Sequence, residues 1–175
     1  MSWSRRGAVL FLLAAVSGCG FRPLYGKNSV DPGVAADLSE IKILNVRAKL
    51  PKYDRAAQEM HNLLRERINP DGAPERPRYM LESRLDVTVA RTGLKITEEA
   101  TRARMTARST FFLREAATKK ILYQGTEQSV NSYNVADSQY ATLAAENDAV
   151  RRAVREISDA IRLRLAIYFE RQDQG

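Results

Sequence analysis

Two stretches of the chain repeat apolar residues at intervals of three and four, which is the spacing of an amphipathic helix. The first covers residues 53–68 and is closed by the turn-forming run Asn-Pro-Asp-Gly at residues 69–72. The second covers residues 143–168, with arginines and acidic residues on the rest of its circumference. The pattern predicts two helices that each bury one side and expose the other.

Between these helices the apolar period changes to two, which predicts β-strands with one apolar face each. One strand begins near Tyr79, and a second covers residues 102–114. A third strand, predicted over residues 121–133, alternates too weakly for its faces to be assigned. The spacing of apolar residues over 41–46 indicates a short additional strand ahead of the first helix.

Strands with one apolar face need a cover, and the two amphipathic helices supply it. The order β-α-β-β-β-α therefore predicts an α+β fold. We expect a two-layer sandwich in which a four-stranded, mainly antiparallel sheet has two helices packed on one face. The other face is open and carries polar and basic side chains. We expect this single domain to span residues 39–172.

The N-terminal residues have the order of an export signal. Arg5 and Arg6 precede an apolar run over residues 8–16, which is too short to span a bilayer as a helix. Two small residues follow, and then Cys19, the only cysteine of the chain. This order resembles the bacterial lipobox, whose cysteine is lipidated and becomes the new N-terminus. We predict a signal peptide over residues 1–18 and a lipid anchor at Cys19; an ordinary signal peptide with an incidental cysteine is the alternative.

The predicted anchor sets the location of the protein. Two or more acyl chains hold a protein stably on a membrane without spanning it. Gly20 follows the cysteine, and by resemblance to Gram-negative lipoprotein sorting a residue other than aspartate here favours the outer membrane. Proline and glycine argue against a regular helix before residue 39, so residues 19–38 are predicted to form an extended tether. We expect a lipid-anchored protein of the cell outer membrane that faces the periplasm.

Composition narrows the partner and the chemistry. The chain has 28 Lys+Arg against 21 Asp+Glu, a formal net charge of +7, of which two charges leave with the signal peptide. The excess predicts an acidic partner, and export argues for an anionic lipid or glycolipid and against nucleic acid. One cysteine and one histidine exclude an internal disulfide and a Cys/His zinc site, and we expect neither a cofactor nor a metal.

The sequence contains no catalytic motif. It has no Gly-x-Ser-x-Gly elbow, no glycine-rich phosphate loop and no His-Glu-x-x-His. The lone His61 lies beside the apolar stripe of the first helix, and no candidate partner for a catalytic role flanks it. We therefore predict that the protein is not an enzyme.

The polar side of the strand over residues 102–114 holds a row of arginines. A guanidinium group is a planar fork that binds phosphate through two hydrogen bonds, so the row suits a phosphorylated anionic ligand. Solvated charge, or cross-strand pairing with Glu82 or Asp86, is the alternative. Neighbouring basic residues extend the row toward the adjacent strand and the hairpin tip. The candidate ligand-binding residues are Arg84, Arg91, Lys95, Arg102, Arg104, Arg108 and Arg114.

The run Cys-Gly-Phe-Arg-Pro-Leu-Tyr-Gly at residues 19–26 resembles the N-terminus of the LptE family of lipopolysaccharide-assembly lipoproteins, particularly its alphaproteobacterial branch. The order of predicted elements is also that family's. The resemblance implies a non-enzymatic outer-membrane lipoprotein that plugs a β-barrel translocon of the LptD type, assists the assembly of that barrel and is able to bind lipopolysaccharide. It carries over Cys19 as the lipidated residue and no binding motif. A free-standing, periplasm-facing lipoprotein that binds another anionic envelope ligand is the alternative.

Overall fold

The computed structural model describes residues 32–92 and 102–173. Within these ranges there are three α-helices, α1 (Pro32–Ser39), α2 (Asp54–Ile68) and α3 (Gln139–Asp173). The same ranges contain five strands: β1 (Ile41–Ile43), β2 (Arg47–Ala48), β3 (Tyr79–Thr92), β4 (Arg102–Glu115) and β5 (Ile121–Asn134). The predicted signal peptide, Cys19, Lys95 and the first part of the predicted tether lie outside the described residues.

All five strands belong to one mixed sheet. Its order is β1-β3-β4-β5, and β2 pairs with the same edge of β3 as β1 does. Strands β3, β4 and β5 are antiparallel, whereas β1 and β2 run parallel to β3 because α2 intervenes and carries the chain back across the sheet. The predicted α+β class is confirmed. The predicted numbers of four strands and two helices were wrong, since the described ranges contain five strands and three α-helices. Strands of two and three residues are too short to show an alternation of their own.

Helix α1 corrects the prediction of an extended chain over residues 32–38. Pro32 is the first helical residue, a position where proline is tolerated because the amide that it lacks would have no partner within the helix. Val34 and Leu38, four residues apart and thus on one side, are both buried. The helix packs against α3. These residues therefore belong to the folded domain.

The two faces of β3 and β4 are those that the alternation predicted. On β4, residues at odd positions from Ala103 to Leu113 are buried, and Arg104 and Arg108 on the other side are exposed. The buried side meets the helices, with α3 running along β5 and β4. Met60 and Leu64 of α2 complete the core and are fully buried. None of the described helices packs on the other side of the sheet, and we call it the open face.

The structure also assigns the faces of β5. Ser129 and Tyr133 are buried on the helix side, whereas Thr126, Gln128 and Val130 are exposed on the open face. Its helix-side residues are largely polar, so the apolar alternation that marks β4 is weak here. Within the described ranges, no helix combines the length and apolarity that crossing a membrane would require.

Candidate functional site

The open face collects five of the predicted basic residues. They come from alternate positions of β3 and β4, whose side chains point to the same side of the sheet. The five are Arg84, Arg102, Arg104, Arg108 and Arg114. Arg91 is in register with the buried Ala103, so its position on β3 belongs to the helix-covered side. Lys95 lies outside the described residues.

At one end of the open face, the arginines are held by a carboxylate. Arg84 donates a hydrogen bond to Glu82 Oε1 at 3.1 Å, and the Nε atom of Arg114 lies 3.5 Å from Glu82 Oε2. Arg114 also donates to the carbonyl oxygen of Lys119, and its guanidinium lies 5.7 Å from the centre of the Phe112 ring. Arg84 and Arg114 therefore share one carboxylate, which offsets half of their combined charge, and the Arg114 pair is the cross-strand pairing given above as the alternative.

At the other end, the arginines have neutral neighbours. Arg108 donates to Gln128 Oε1 at 3.2 Å. Arg102 and Arg104 are exposed and form no ion pair or hydrogen bond with other described residues. Asp86 is in register with Arg108, but its carboxylate accepts a hydrogen bond from Lys49 instead, at 2.8 Å. The uncompensated positive charge is thus concentrated on the half of β4 nearest residue 102, which we call the cationic end.

Three further basic residues enlarge the positive surface. Arg47 of β2 is in parallel register with Arg84, and Lys42 of β1 is in register with Met80, which places both on the open face. Lys49 reaches this face through its ion pair with Asp86. Sequence reasoning missed all three because it did not anticipate the parallel pairing of two very short strands. Among the described residues, these and the five arginines face two acidic groups, Glu82 and Asp86.

The open face also carries apolar surface between its charges. Val130 of β5 is 52% exposed, and Met80 and Phe112 are half-buried. Threonine hydroxyls lie between them on neighbouring strands, and those of Thr110 and Thr126 are 3.4 Å apart. The surface therefore presents guanidinium groups for phosphate, hydroxyls for sugar and apolar side chains for lipid, which is the mixture an anionic amphiphile needs.

A cluster of two tyrosines and one carboxylate lies on the covered side of the sheet. The Glu146 carboxylate of α3 accepts hydrogen bonds from the hydroxyls of Tyr53 and Tyr133, at 3.1 and 3.3 Å. Burial, reinforced by this carboxylate, raises the pKa of Tyr133, and burial likewise raises the pKa of Tyr53. This cluster joins the start of α2, the end of β5 and the start of α3, so its role is to hold elements together.

His61 has a structural environment. Its Nδ1 atom lies 3.1 Å from the carbonyl oxygen of Leu44, which ties α2 to the chain after β1. Among the described residues, no group of three His, Cys, Asp or Glu side chains is placed to hold a metal ion.

Several solved bacterial proteins are similar to this chain in fold. A lipoprotein from Caulobacter crescentus aligns with a TM-score of 0.58 and 21% identity, over 79% of this chain and 96% of the other. Rare lipoprotein B from Shewanella oneidensis aligns with a TM-score of 0.56 and 13% identity, over 77% of this chain and 100% of the other. A homolog of neuraminyllactose-binding hemagglutinin from Helicobacter pylori aligns with a TM-score of 0.53 and 9% identity, over 89% of this chain and 97% of the other.

These likenesses establish a shared fold, and the family follows from the sequence. No curated protein sequence matches the chain. The sequence model of the LptE family, described as lipopolysaccharide-assembly, matches residues 41–165, from β1 to the last third of α3. This match covers most of the described domain, including every strand that forms the open face. The chain belongs to the LptE lipopolysaccharide-assembly family.

Proposed function

We propose that this chain is a non-enzymatic, outer-membrane lipoprotein of the lipopolysaccharide transport machinery. In this role it plugs a β-barrel translocon of the LptD type, assists the assembly of that barrel and binds lipopolysaccharide on its open face. The observation that carries the proposal is the family match over residues 41–165. The lipobox-like order ending at Cys19 supports attachment to the membrane by acyl chains.

The chemistry of the open face supports lipopolysaccharide as the ligand. A glycolipid with phosphorylated sugars offers negative charge, hydroxyl groups and acyl chains on one molecule. Arg102 and Arg104 at the cationic end have no acidic partner among the described residues, so phosphate would not have to displace an internal ion pair there. Arg84 and Arg114 are already engaged by Glu82 and would contribute less. We therefore assign the phosphate contacts to the cationic end.

Crosslinking in intact cells tests the partnership with a barrel. A photoreactive residue placed at exposed positions of the domain is expected to yield one adduct with a large outer-membrane barrel, identified by mass spectrometry. Depletion of the protein is expected to leave lipopolysaccharide short of the cell surface and the barrel incompletely assembled. A depleted strain with a normal barrel and normal surface lipopolysaccharide would contradict the proposal.

Metabolic labelling tests the anchor separately. Cells fed radiolabelled palmitate are expected to label the wild-type protein and to leave the Cys19→Ser variant unlabelled. Since Cys19 is the only cysteine, the substitution removes the only thiol that could be acylated. Labelling of Cys19→Ser as strongly as the wild type would overturn the anchor assignment and leave the family assignment intact.

A further inference from the structure

The outer edge of β5 is a long strand edge with no partner among the described residues. β5 has 14 residues, pairs with β4 on one side, and has no backbone hydrogen bond to another described segment on the other side. Such an edge exposes a row of amide and carbonyl groups that attracts another strand, and proteins usually blunt it with lysine, proline or a short length. β5 contains no lysine, arginine or proline, and its single acidic residue, Glu127, is paired with Arg164.

The opposite edge of the sheet is protected in the usual ways. It begins with β1 and β2, which have three and two residues. Lys42 and Arg47 lie in these strands, and Pro51 follows them. Residues 86–92 of β3 continue this edge, without a backbone partner on that side among the described residues, and they include Asp86 and Arg91. β5 differs from this edge because its outer side is unpaired over 14 residues and it has no basic residue or proline.

A cavity lies beside the open edge, between β5 and α3. Its volume is about 300 Å³, and its lining includes the rings of Tyr123 and Tyr168, which stack with centroids 5.0 Å apart. Leu163 and Ile167 form its α3 side, and they are 61% and 37% exposed. These are among the more exposed large apolar side chains of the described domain, and they lie next to the unpaired edge.

The charges around the cavity indicate what an added strand should carry. Arg164 is neutralised by Glu127, with Nε and Oε1 2.7 Å apart. Arg171 also lines the cavity, is exposed, and forms no ion pair with another described residue. A strand that fills the cavity with an apolar side chain could pair with Arg171 through an acidic residue two positions along, because alternate residues share a face.

We propose that the outer edge of β5 binds an extended segment of a partner polypeptide as an additional strand of the sheet. Backbone hydrogen bonds to β5 supply the affinity, an apolar or aromatic side chain enters the cavity, and an acidic side chain faces Arg171. This is the general mode of strand addition, in which pockets beside the edge give the specificity. The proposal goes beyond lipopolysaccharide binding, since it concerns a different surface and a protein ligand.

Amide hydrogen exchange on the full chain in mild detergent tests the proposal. The probe is a synthetic ten-residue peptide of alternating threonine and valine, with phenylalanine at one central valine position and aspartate at the next. The control peptide has the same composition except for two central prolines. The first peptide is expected to slow exchange of the outward amides of β5 by about tenfold or more, and the proline peptide is expected to have no effect.

Two matched pairs of variants decide between outcomes. Thr126→Lys charges the open edge and is expected to abolish the slowing, whereas Thr106→Lys makes the same change on β4, where the strand is paired on both sides with Thr88 and Val130, and should retain it. A third peptide has serine in place of the phenylalanine and is expected to slow exchange less in the unchanged protein. Leu163→Gln is expected to remove this difference between the two peptides, and Leu143→Gln, also on α3, should keep it. If Thr126→Lys fails to fold, the Leu163 pair still tests the site.

The opposite results are equally clear. No slowing by the first peptide, equal slowing by the proline peptide, or full binding by Thr126→Lys would overturn the proposal. Protection of β5 amides that rises with protein concentration in the absence of peptide would overturn it in favour of pairing between two copies of this chain. No lipopolysaccharide is present, so these outcomes are independent of the proposed ligand of the open face.

Discussion

The ring of Phe111 lies over Gly125, its cross-strand partner on β5. A Cβ atom on residue 125 would stand 2.6 Å from the Phe111 Cζ atom, well inside van der Waals contact. Phe111 is fully buried, so its ring is enclosed by other side chains of the core. Glycine at position 125 is therefore required by the size of its neighbour, because the ring occupies the space that a side chain would need.

We expect Gly125→Ala to lower the free energy of unfolding by about 1–3 kcal/mol, since overpacking forces the ring or the strand to shift. Denaturant unfolding followed by circular dichroism measures the loss. Trimming the ring in the double variant Gly125→Ala, Phe111→Leu should make the glycine substitution nearly neutral relative to Phe111→Leu alone. Equal costs in the two backgrounds would show that the close approach is unimportant.

Replacing the shared acceptor of the tyrosine cluster is expected to destabilise the domain. Glu146→Gln leaves one amide oxygen where two carboxylate oxygens accept the hydroxyls of Tyr53 and Tyr133, and it removes the partner of Lys52. Losing a charged acceptor in a part-buried site costs about 1–2 kcal/mol. Glu66→Gln, at an exposed position of α2, is the matched control and should cost much less. Thermal unfolding of both variants at neutral pH makes the comparison.

The same cluster predicts an alkaline loss of stability. Burial, the leading cause, raises the pKa of Tyr133 and of Tyr53. The folded state therefore keeps these protons to higher pH than the unfolded state, and unfolding releases protons above the ordinary tyrosine pKa of about 10. The free energy of unfolding should fall as the pH rises through this region. The fall should be shallower in Tyr133→Phe and unchanged in Tyr140→Phe, because Tyr140 is 82% exposed.

Shortening a buried side chain of α1 tests whether residues 32–39 belong to the domain. Leu38 is buried against the rest of the fold, and Leu38→Ala should cost about 2–4 kcal/mol. Leu143→Ala makes the same chemical change at a residue of α3 that is 56% exposed, and it should cost well under half as much. Chemical denaturation provides both values. Similar small losses at the two positions would mean that α1 adds little to the stability of the core.

Charge reversal at the cationic end tests the ligand assignment. Arg104→Glu combined with Arg108→Glu should weaken lipopolysaccharide binding by about tenfold or more at low ionic strength, with a smaller difference at high salt. Arg151→Glu with Arg155→Glu changes the same charge at two exposed positions of α3 and serves as the control. Titration of each protein with lipopolysaccharide micelles measures the affinities. Unchanged binding at low salt would reject the site without affecting membership of the family.

Elements with a strong period of their own could be predicted from the sequence. Helix α2 has one apolar stripe, and apolar and polar residues alternate over most of β4. In both cases the local sequence is enough to predict the type of element and its buried side. The faces of β5 could not be assigned, because its helix-side polar atoms are satisfied by a distant helix. Ser129 donates a hydrogen bond to Glu156 of α3 at 2.5 Å, a contact that no local pattern contains.

The same distinction applies to the candidate site. The arginine row followed from the period of β4, which fixes the side of the sheet that each arginine occupies. Which arginines have an acidic partner depends on contacts that the local pattern does not contain. Glu82 pairs with both Arg84 and Arg114, and Asp86 pairs with Lys49 and not with Arg108. The position of Lys49 depends on the parallel pairing of β2, so the division of the row into a part that is paired with Glu82 and a cationic end could not be predicted from the sequence.

The position of α1 limits how far the domain would lie from a membrane if Cys19 is the anchor. Pro32 is the first residue of α1, and it lies 13 positions after the predicted anchor at Cys19. A fully extended chain advances at most about 3.5 Å per residue, so the linker between Cys19 and α1 is at most roughly 45 Å long. That is about the length of one of the 14-residue strands. A domain anchored through this linker would stay within about 45 Å of the bilayer surface and could not reach across a wider periplasm.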